Sequence, residues 1–207
     1  MQLNPDAVLW SAPEAQRAGR PVLVLLHGHG SHEGDLFGLS PALPLTPVIA
    51  SVRAPIPEGA GFTWFSRSDS PVGDPPADRA DAAAAALVDW VDTLGDVPVG
   101  LLGFSQGAAV TLQAMRHRPE RFDYGVALSG FLVAGGHPGD AALAARRPPV
   151  FWAHGDADEV VPETSVERTT DWLPGHTDLE AHRYPGLGHN ISTPELDDIV
   201  QFLRARY

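Results

Sequence analysis

The sequence predicts an α/β protein built on a mostly parallel sheet with helices on both faces. Short apolar runs bounded by Gly or Pro read as buried strands. Longer stretches with apolar residues at helical spacing lie between them, and strands alternating with helices imply a parallel sheet covered on both sides. The chain has 207 residues, 43% of them hydrophobic, which suits one domain over residues 1–207 with a substantial core. Its 21 Gly and 20 Pro are spread along the chain. No long linker, charge block or internal repeat interrupts it.

The strands are expected at Val22–Leu26, Val48–Val52, Val97–Leu102, Gly125–Leu128, Val150–Ala153 and Leu179–Tyr184, with a weaker one at Ala7–Trp10 that starts the sheet. The last run alternates Leu179, Ala181 and Arg183 with Glu180, His182 and Tyr184, so it is expected half exposed near an edge. Asp78–Leu94 reads as a helix because Ala84, Leu87, Val88 and Val91 share a face; its run Ala82–Ala86 is the best helix-forming residue repeated. Further helices are expected at Ala108–His117, at Glu163–Leu173 after Pro162, and at Pro194–Arg206. The last has a capping Ser192, Pro194 and Glu195 at its start. Leu196, Ile199, Val200 and Leu203 form its core face.

Composition excludes several chemistries. The formal charge is −12, and nucleic acids and anionic membranes select basic surfaces instead. All 14 basic residues are Arg, so Schiff-base chemistry and a phosphate-loop Lys are ruled out. Without Cys there is no disulfide, thiolate metal site or Cys nucleophile. The start MQLNPDAVLW lacks the basic and apolar regions of a signal peptide, and no run of 18 apolar residues occurs. A soluble, cytoplasmic protein is expected, and nothing implies a cofactor.

In parallel sheets ligands sit beyond the carboxyl ends of the strands. Gly103-Phe104-Ser105-Gln106-Gly107 lies there, between a predicted strand and a predicted helix. G-x-S-x-G in that context holds a Ser on a sharp turn with its hydroxyl above the sheet. The following helix aims its first N–H groups at the same point. Serine needs a base, and the base an acid. In the strand–turn–helix arrangement the order is Ser, acid, His.

Two later strand ends supply candidates: His154-Gly155-Asp156-Ala157-Asp158-Glu159-Val160-Val161-Pro162 and Gly186-Leu187-Gly188-His189-Asn190. His189 is the expected base. His137 and His176 lack strand-end context, His182 lies inside a strand, and His154 reads as a structural donor. Asp158 is preferred as the acid because Asp156 follows directly on the turn and would bond its own loop, although spacing alone leaves Asp156, Asp158 and Glu159 open. Oxyanion donors are expected from the backbone N–H groups of His29, in Leu26-His27-Gly28-His29-Gly30, and of Gln106. His27, His29 and His32 have the look of a zinc set, but the Gly-rich spacing and the lack of a carboxylate partner argue against a metal. His27 is expected buried, its ring bonded to nearby backbone.

Taken in order, these segments resemble the phospholipase/carboxylesterase family, the acyl-protein-thioesterase-like branch of the α/β hydrolases. The resemblance rests on L-H-G-x-G at Leu26–Gly30, Glu33 with Asp35-Leu36, Trp64-Phe65, G-F-S-Q-G at Gly103–Gly107, L-S-G at Leu128–Gly130, H-G-x-x-D-x-V-V-P at His154–Pro162 and G-x-G-H at Gly186–His189. It implies an α/β-hydrolase fold without a large cap domain. It also implies Ser105 as nucleophile, Asp158 as acid, His189 as base, and oxyanion donors at His29 and Gln106, which separates Asp158 from Asp156.

Position 29 is commonly apolar or aromatic in that family and is His here. The expected activity is hydrolysis of small or acyl-chain carboxylic esters; a thioesterase or lysophospholipase-type hydrolase is the alternative, and a non-catalytic ligand-binding protein a more distant one. Trp64, Phe65 and Phe131 are candidates for the acyl pocket, joined by Val160, Val161 and Leu187 beside the catalytic loops. The expected partner is a small-molecule ester.

Overall fold

Val22–Leu26 is buried over its whole length. Its odd and even residues enter different cores: Val22, Val24 and Leu26 on one side, Leu23 and Leu25 on the other. Successive side chains of a strand point to opposite faces, so such a strand needs cover on both. The computed structural model of the protein, which describes residues 1–68 and 71–207, provides that cover.

In chain order the elements are β1 (Leu9–Trp10), β2 (Val22–Leu26), α1 (Gly34–Phe37), β3 (Val48–Val52), β4 (Ile56–Glu58), β5 (Gly61–Thr63), α2 (Ala77–Asp92), β6 (Val99–Phe104), α3 (Gln106–His117), β7 (Tyr124–Leu128), α4 (Asp140–Arg146), β8 (Pro149–Gly155), α5 (Glu163–His176), β9 (Asp178–Tyr184) and α6 (Thr193–Arg204). Among the described residues the main sheet has seven strands in the order β1-β3-β2-β6-β7-β8-β9. All pairs are parallel except β1 with β3. Helices α2, α3 and α5 supply one core, with Leu87, Val110 and Val166 among its members. Helix α6 covers the other face with Ile199, Phe202 and Leu203.

The chain runs outward from β2 to β3 and returns to β6 on the other side of β2. This reversal opens a crevice at the carboxyl ends of β2 and β6, where open α/β sheets bind ligands.

Several boundaries differ from the predicted ones for local reasons. The strand expected from Val97 starts at Val99, because Pro98 has no N–H for the ladder, and it runs on through Gly103 and Phe104, which pair with Leu26 and Leu128. The weak first strand is shortened to Leu9–Trp10 by a 3-10 turn over Pro5–Ala7, capped by Asn4. β8 extends to His154 and Gly155, paired with Arg183 and Tyr184. α5 passes through Pro174 to His176, since a missing N–H in a last turn removes only one bond. β9 forms the sheet edge, with the mixed exposure its alternation predicts. The short elements α1, α4 and the β4–β5 hairpin have no counterpart in the sequence reading. No helix among the described residues is long and apolar enough to cross a membrane.

Candidate active site

Ser105 sits between the last residue of β6 and the first of α3, at φ 55° and ψ −117°. A non-glycine residue in that region is strained, and the strain is held from both sides. The Ser105 N–H donates to the Leu128 carbonyl at 2.9 Å, and the Ser105 carbonyl accepts from Ala108 and Ala109. The flanking glycines are required by packing. A Cβ on Gly103 would overlap the Gly107 carbonyl, and one on Gly107 would overlap the carbonyls of Leu26 and His27.

His189 lies in the loop after β9 and reaches across to this turn. Its Nε2 is 2.9 Å from Ser105 Oγ, and its Nδ1 is 2.7 Å from Asp158 Oδ2. Since an ionised carboxylate only accepts, Nδ1 carries the proton and Nε2 accepts from the serine hydroxyl. The ring also packs on Phe104, with centroids 4.9 Å apart.

The Asp158 side chain is fully buried. Its Oδ1 accepts the N–H groups of Val160 at 2.8 Å and Val161 at 3.2 Å. Its Oδ2 lies 3.2 Å from His154 Nε2 as well. Burial pushes this carboxyl up, but the hydrogen bond from His189, then that from Val160, the charge on His189 and the bond from Val161 outweigh it and hold the group below its ordinary range. His154 is itself buried and stacked on Trp152. Burial lowers its pKa despite the carboxylate, so it meets Asp158 as a neutral ring.

Asp156 does not bond its own loop as expected. It accepts the Gly186 N–H at 2.6 Å and so ties the Asp158 loop to the His189 loop. The two loops are further joined by Ala157 N–H on the Leu187 carbonyl, and Gly155 leaves no room there for a Cβ. Glu159 is exposed.

The loop after β2 completes the arrangement. His27 is fully buried. Its Nε2 accepts from Ala54 N–H and its Nδ1 donates to the Gly28 carbonyl, with burial pushing its pKa down. His32 Nδ1 accepts from Gly34 N–H, while His29 faces Glu58 at 3.9 Å. The three histidines are thus turned to separate partners.

Among the described residues the backbone N–H groups of His29 and Gln106 carry no hydrogen bond, and both residues line the cleft that contains Ser105. The β4–β5 hairpin braces this loop. Gly30 N–H donates to the Phe62 carbonyl, Ser31 pairs with Phe62, and a Cβ on Gly61 would collide with the Gly30 carbonyl.

Sequence reasoning missed the side chain of Gln106. Its Oε1 accepts from Thr63 Oγ1 and Trp64 N–H, and its Nε2 donates to the Phe65 carbonyl. This buried amide fixes the segment that carries Phe65 into the cleft.

The cleft is walled by Phe65, Phe131, Val160, Pro71, Val72 and Pro75, with His29, Arg67 and Gln106 also lining it. Three residues expected to line it do not. Trp64 is fully buried beneath the β2 loop, where its indole N–H donates to the His27 carbonyl at 2.9 Å. Val161 packs in the core. Leu187 is half-buried, with its carbonyl engaged by Ala157.

The sequence pattern of the phospholipase/carboxylesterase family matches residues 86–207, more than half of the chain. The chain belongs to that family. It is 30% identical over 174 residues to a probable carboxylesterase of Oryza sativa subsp. japonica, a match covering 79% of this chain and 64% of the rice protein. It is also 27% identical over 227 residues to acyl-protein thioesterase 1 of Kluyveromyces lactis, covering 98% and 97% of the two chains. The chain therefore spans less than two thirds of the rice relative and nearly all of the yeast one.

The crystal structure of a carboxylesterase from Mesorhizobium loti superposes with a TM-score of 0.78 at 24% identity, covering 98% of this chain and 97% of that one. The fold is the α/β-hydrolase fold of the phospholipase/carboxylesterase family. The imidazole of His29 enters the cleft wall. Its pKa is lowered, first by burial and then by the charge of Arg67, with Glu58 opposing.

Proposed function

We propose that the protein is a serine carboxylesterase in which Ser105, His189 and Asp158 act as nucleophile, base and acid. The observation that carries this reading is the unbroken relay of hydrogen bonds from Asp158 through His189 to a hydroxyl held on a strained turn. His189 Nε2 takes the Ser105 proton as Oγ attacks the ester carbonyl. The tetrahedral oxyanion lies against the N–H groups of His29 and Gln106, the latter at the N-terminus of α3. His189 then gives its proton to the leaving alcohol, and water, activated by the same imidazole, releases the acid from Ser105. Asp158 fixes the tautomer and stabilises the imidazolium.

The test is hydrolysis of p-nitrophenyl esters from acetate to palmitate by wild type and Ser105→Ala. Activity that falls at least 10³-fold in the variant is expected, because the nucleophile is lost while the rest of the cleft remains. Activity surviving in Ser105→Ala overturns the assignment. The relation to the Kluyveromyces acyl-protein thioesterase favours a second reading, a thioesterase using the same residues. A rate maximum at long chains, with faster cleavage of the matching thioester, would select it.

A further inference from the structure

The cleft beside Ser105 has apolar walls with one permanently charged group, Arg67. Elsewhere the arginines are largely committed. Arg53, Arg116, Arg118, Arg121, Arg146, Arg168 and Arg183 pair with carboxylates. Arg20 and Arg147 hold backbone carbonyls, while Arg17 and Arg206 lie over aromatic rings. Among the described residues no carboxylate lies within 4.0 Å of Arg67, although its charge is felt at His29. His29 Nε2 is a buried cleft-wall atom without a hydrogen bond. Glu58, its nearest acid, stands 3.9 Å away, beyond hydrogen-bonding distance.

We propose that Arg67 receives an anionic group of the substrate, so that the cleft selects esters bearing a carboxylate or phosphate over neutral esters of the same length. This inference rests on the esterase reading and adds its substrate class. Arg67 is exposed at the cleft, and its guanidinium offers two parallel donors to such a group in a charge-assisted pair. His29 adds an imidazole to the same cleft wall, with Nε2 unpartnered and 3.9 Å from Glu58. The net charge of −12 does not prevent binding. Its repulsion is spread over the surface and screened beyond about 8–10 Å in physiological salt, whereas a group bound at Arg67 lies in direct contact, well inside that distance.

The anionic group has two possible origins, the acyl chain or the alcohol, and matched substrates separate them. The first pair is p-nitrophenyl valerate and mono-p-nitrophenyl glutarate. The second is the butyrate esters of methoxyethanol and of ethylene glycol phosphate. The readout is the ratio of kcat/KM, charged over neutral, within each enzyme, so that a general loss of activity in a variant cancels. Wild type is expected to show a ratio at least tenfold above that of Arg67→Gln in one pair, and Arg67→Glu a ratio lower still. The pair that responds assigns Arg67 to the acyl or the alcohol side. Equal ratios in wild type and Arg67→Gln for both pairs overturn the inference while leaving the esterase reading standing. Hydrolysis of none of the four esters by wild type overturns both.

Discussion

The loop after β8 and the first turn of α6 each bury a carboxylate, and the two groups titrate in opposite directions. The Asp158 side chain and Glu195 are both cut off from solvent, and in each case burial is the largest influence and acts upward. At Asp158 two backbone N–H groups and His189 converge on the carboxyl and reverse the effect. At Glu195 a single N–H, from Ser192, reaches Oε2, and Oε1 has no hydrogen-bond partner. With Asp198 adding repulsion, the pKa is pushed up to about 7. Burial therefore does not by itself decide whether a carboxylate stays charged. The number of donors aimed at it does, and in this molecule that concentration of donors lies at the carboxyl ends of the strands.

The largest expected effect separates the two groups by function. Asp158→Asn keeps the shape but loses the charge and the acceptor that sets the His189 tautomer. Its kcat should fall by about 10⁴, measured on a short p-nitrophenyl ester with the folded state checked by circular dichroism. Glu195→Gln should leave kcat within about twofold, because it touches only the start of α6. Retention of more than a tenth of the activity by Asp158→Asn would move the acid elsewhere, with Glu159 the exposed alternative on the same loop.

The same contrast shows what was legible in the sequence. Ser105 and His189 were readable because each is fixed by local context, a G-x-S-x-G between strand and helix and a His at a strand end. The choice between Asp156 and Asp158 was not, because it depends on the loop after β9. Asp156 turns to Gly186 N–H and Asp158 to His189, contacts that bridge about 30 residues. Spacing of acids within one loop contains no record of that. The β4–β5 hairpin escaped for another reason. Its strands have three residues each, include Pro57 and Gly61, and lack a clear apolar alternation, yet they hold the loop that presents His29. Trp64 and Phe65 are sequence neighbours of similar character, but only Phe65 reaches the cleft. The buried amide of Gln106 that fixes this segment is paired across 41 to 43 residues and gives no local signal.

The next effect in size is on stability, and its sign should differ between the two carboxylates. Glu195 has a raised pKa, so between its ordinary value near 4.5 and about 7 the folded state holds the proton more tightly than the unfolded chain. Its contribution is complete below that window and is lost as pH rises through it. Glu195→Gln keeps a capping side chain and removes the charge. Relative to wild type it should gain on the order of 1–3 kcal/mol at pH 8 and little at pH 4.5. For Asp158, with a lowered pKa, stabilisation is present above the ordinary Asp value and disappears as pH falls through the folded one. Asp158→Asn should therefore be destabilised at pH 7, by about 1–3 kcal/mol, and approach wild type under strongly acid conditions. Thermal melts of the three proteins across pH test both. Parallel curves would mean that the donors around Asp158 do not distinguish it from Glu195.

The smallest expected effect isolates the cap from the charge. Ser192 Oγ accepts the Glu195 N–H at 3.3 Å, while the Ser192 N–H donates to Glu195 Oε2 at 3.2 Å. Ser192→Ala removes the first of these bonds and leaves the second, because the second uses the backbone. The loss should be about 1 kcal/mol, the usual worth of an N-cap. It should also be the same at pH 5 and pH 8, since the missing acceptor faced a neutral N–H. A loss that grows with pH would show that the hydroxyl also helps to hold the Glu195 carboxylate. The two regions would then differ only in how many donors they bring to a buried carboxylate, and not in whether the donors act on it.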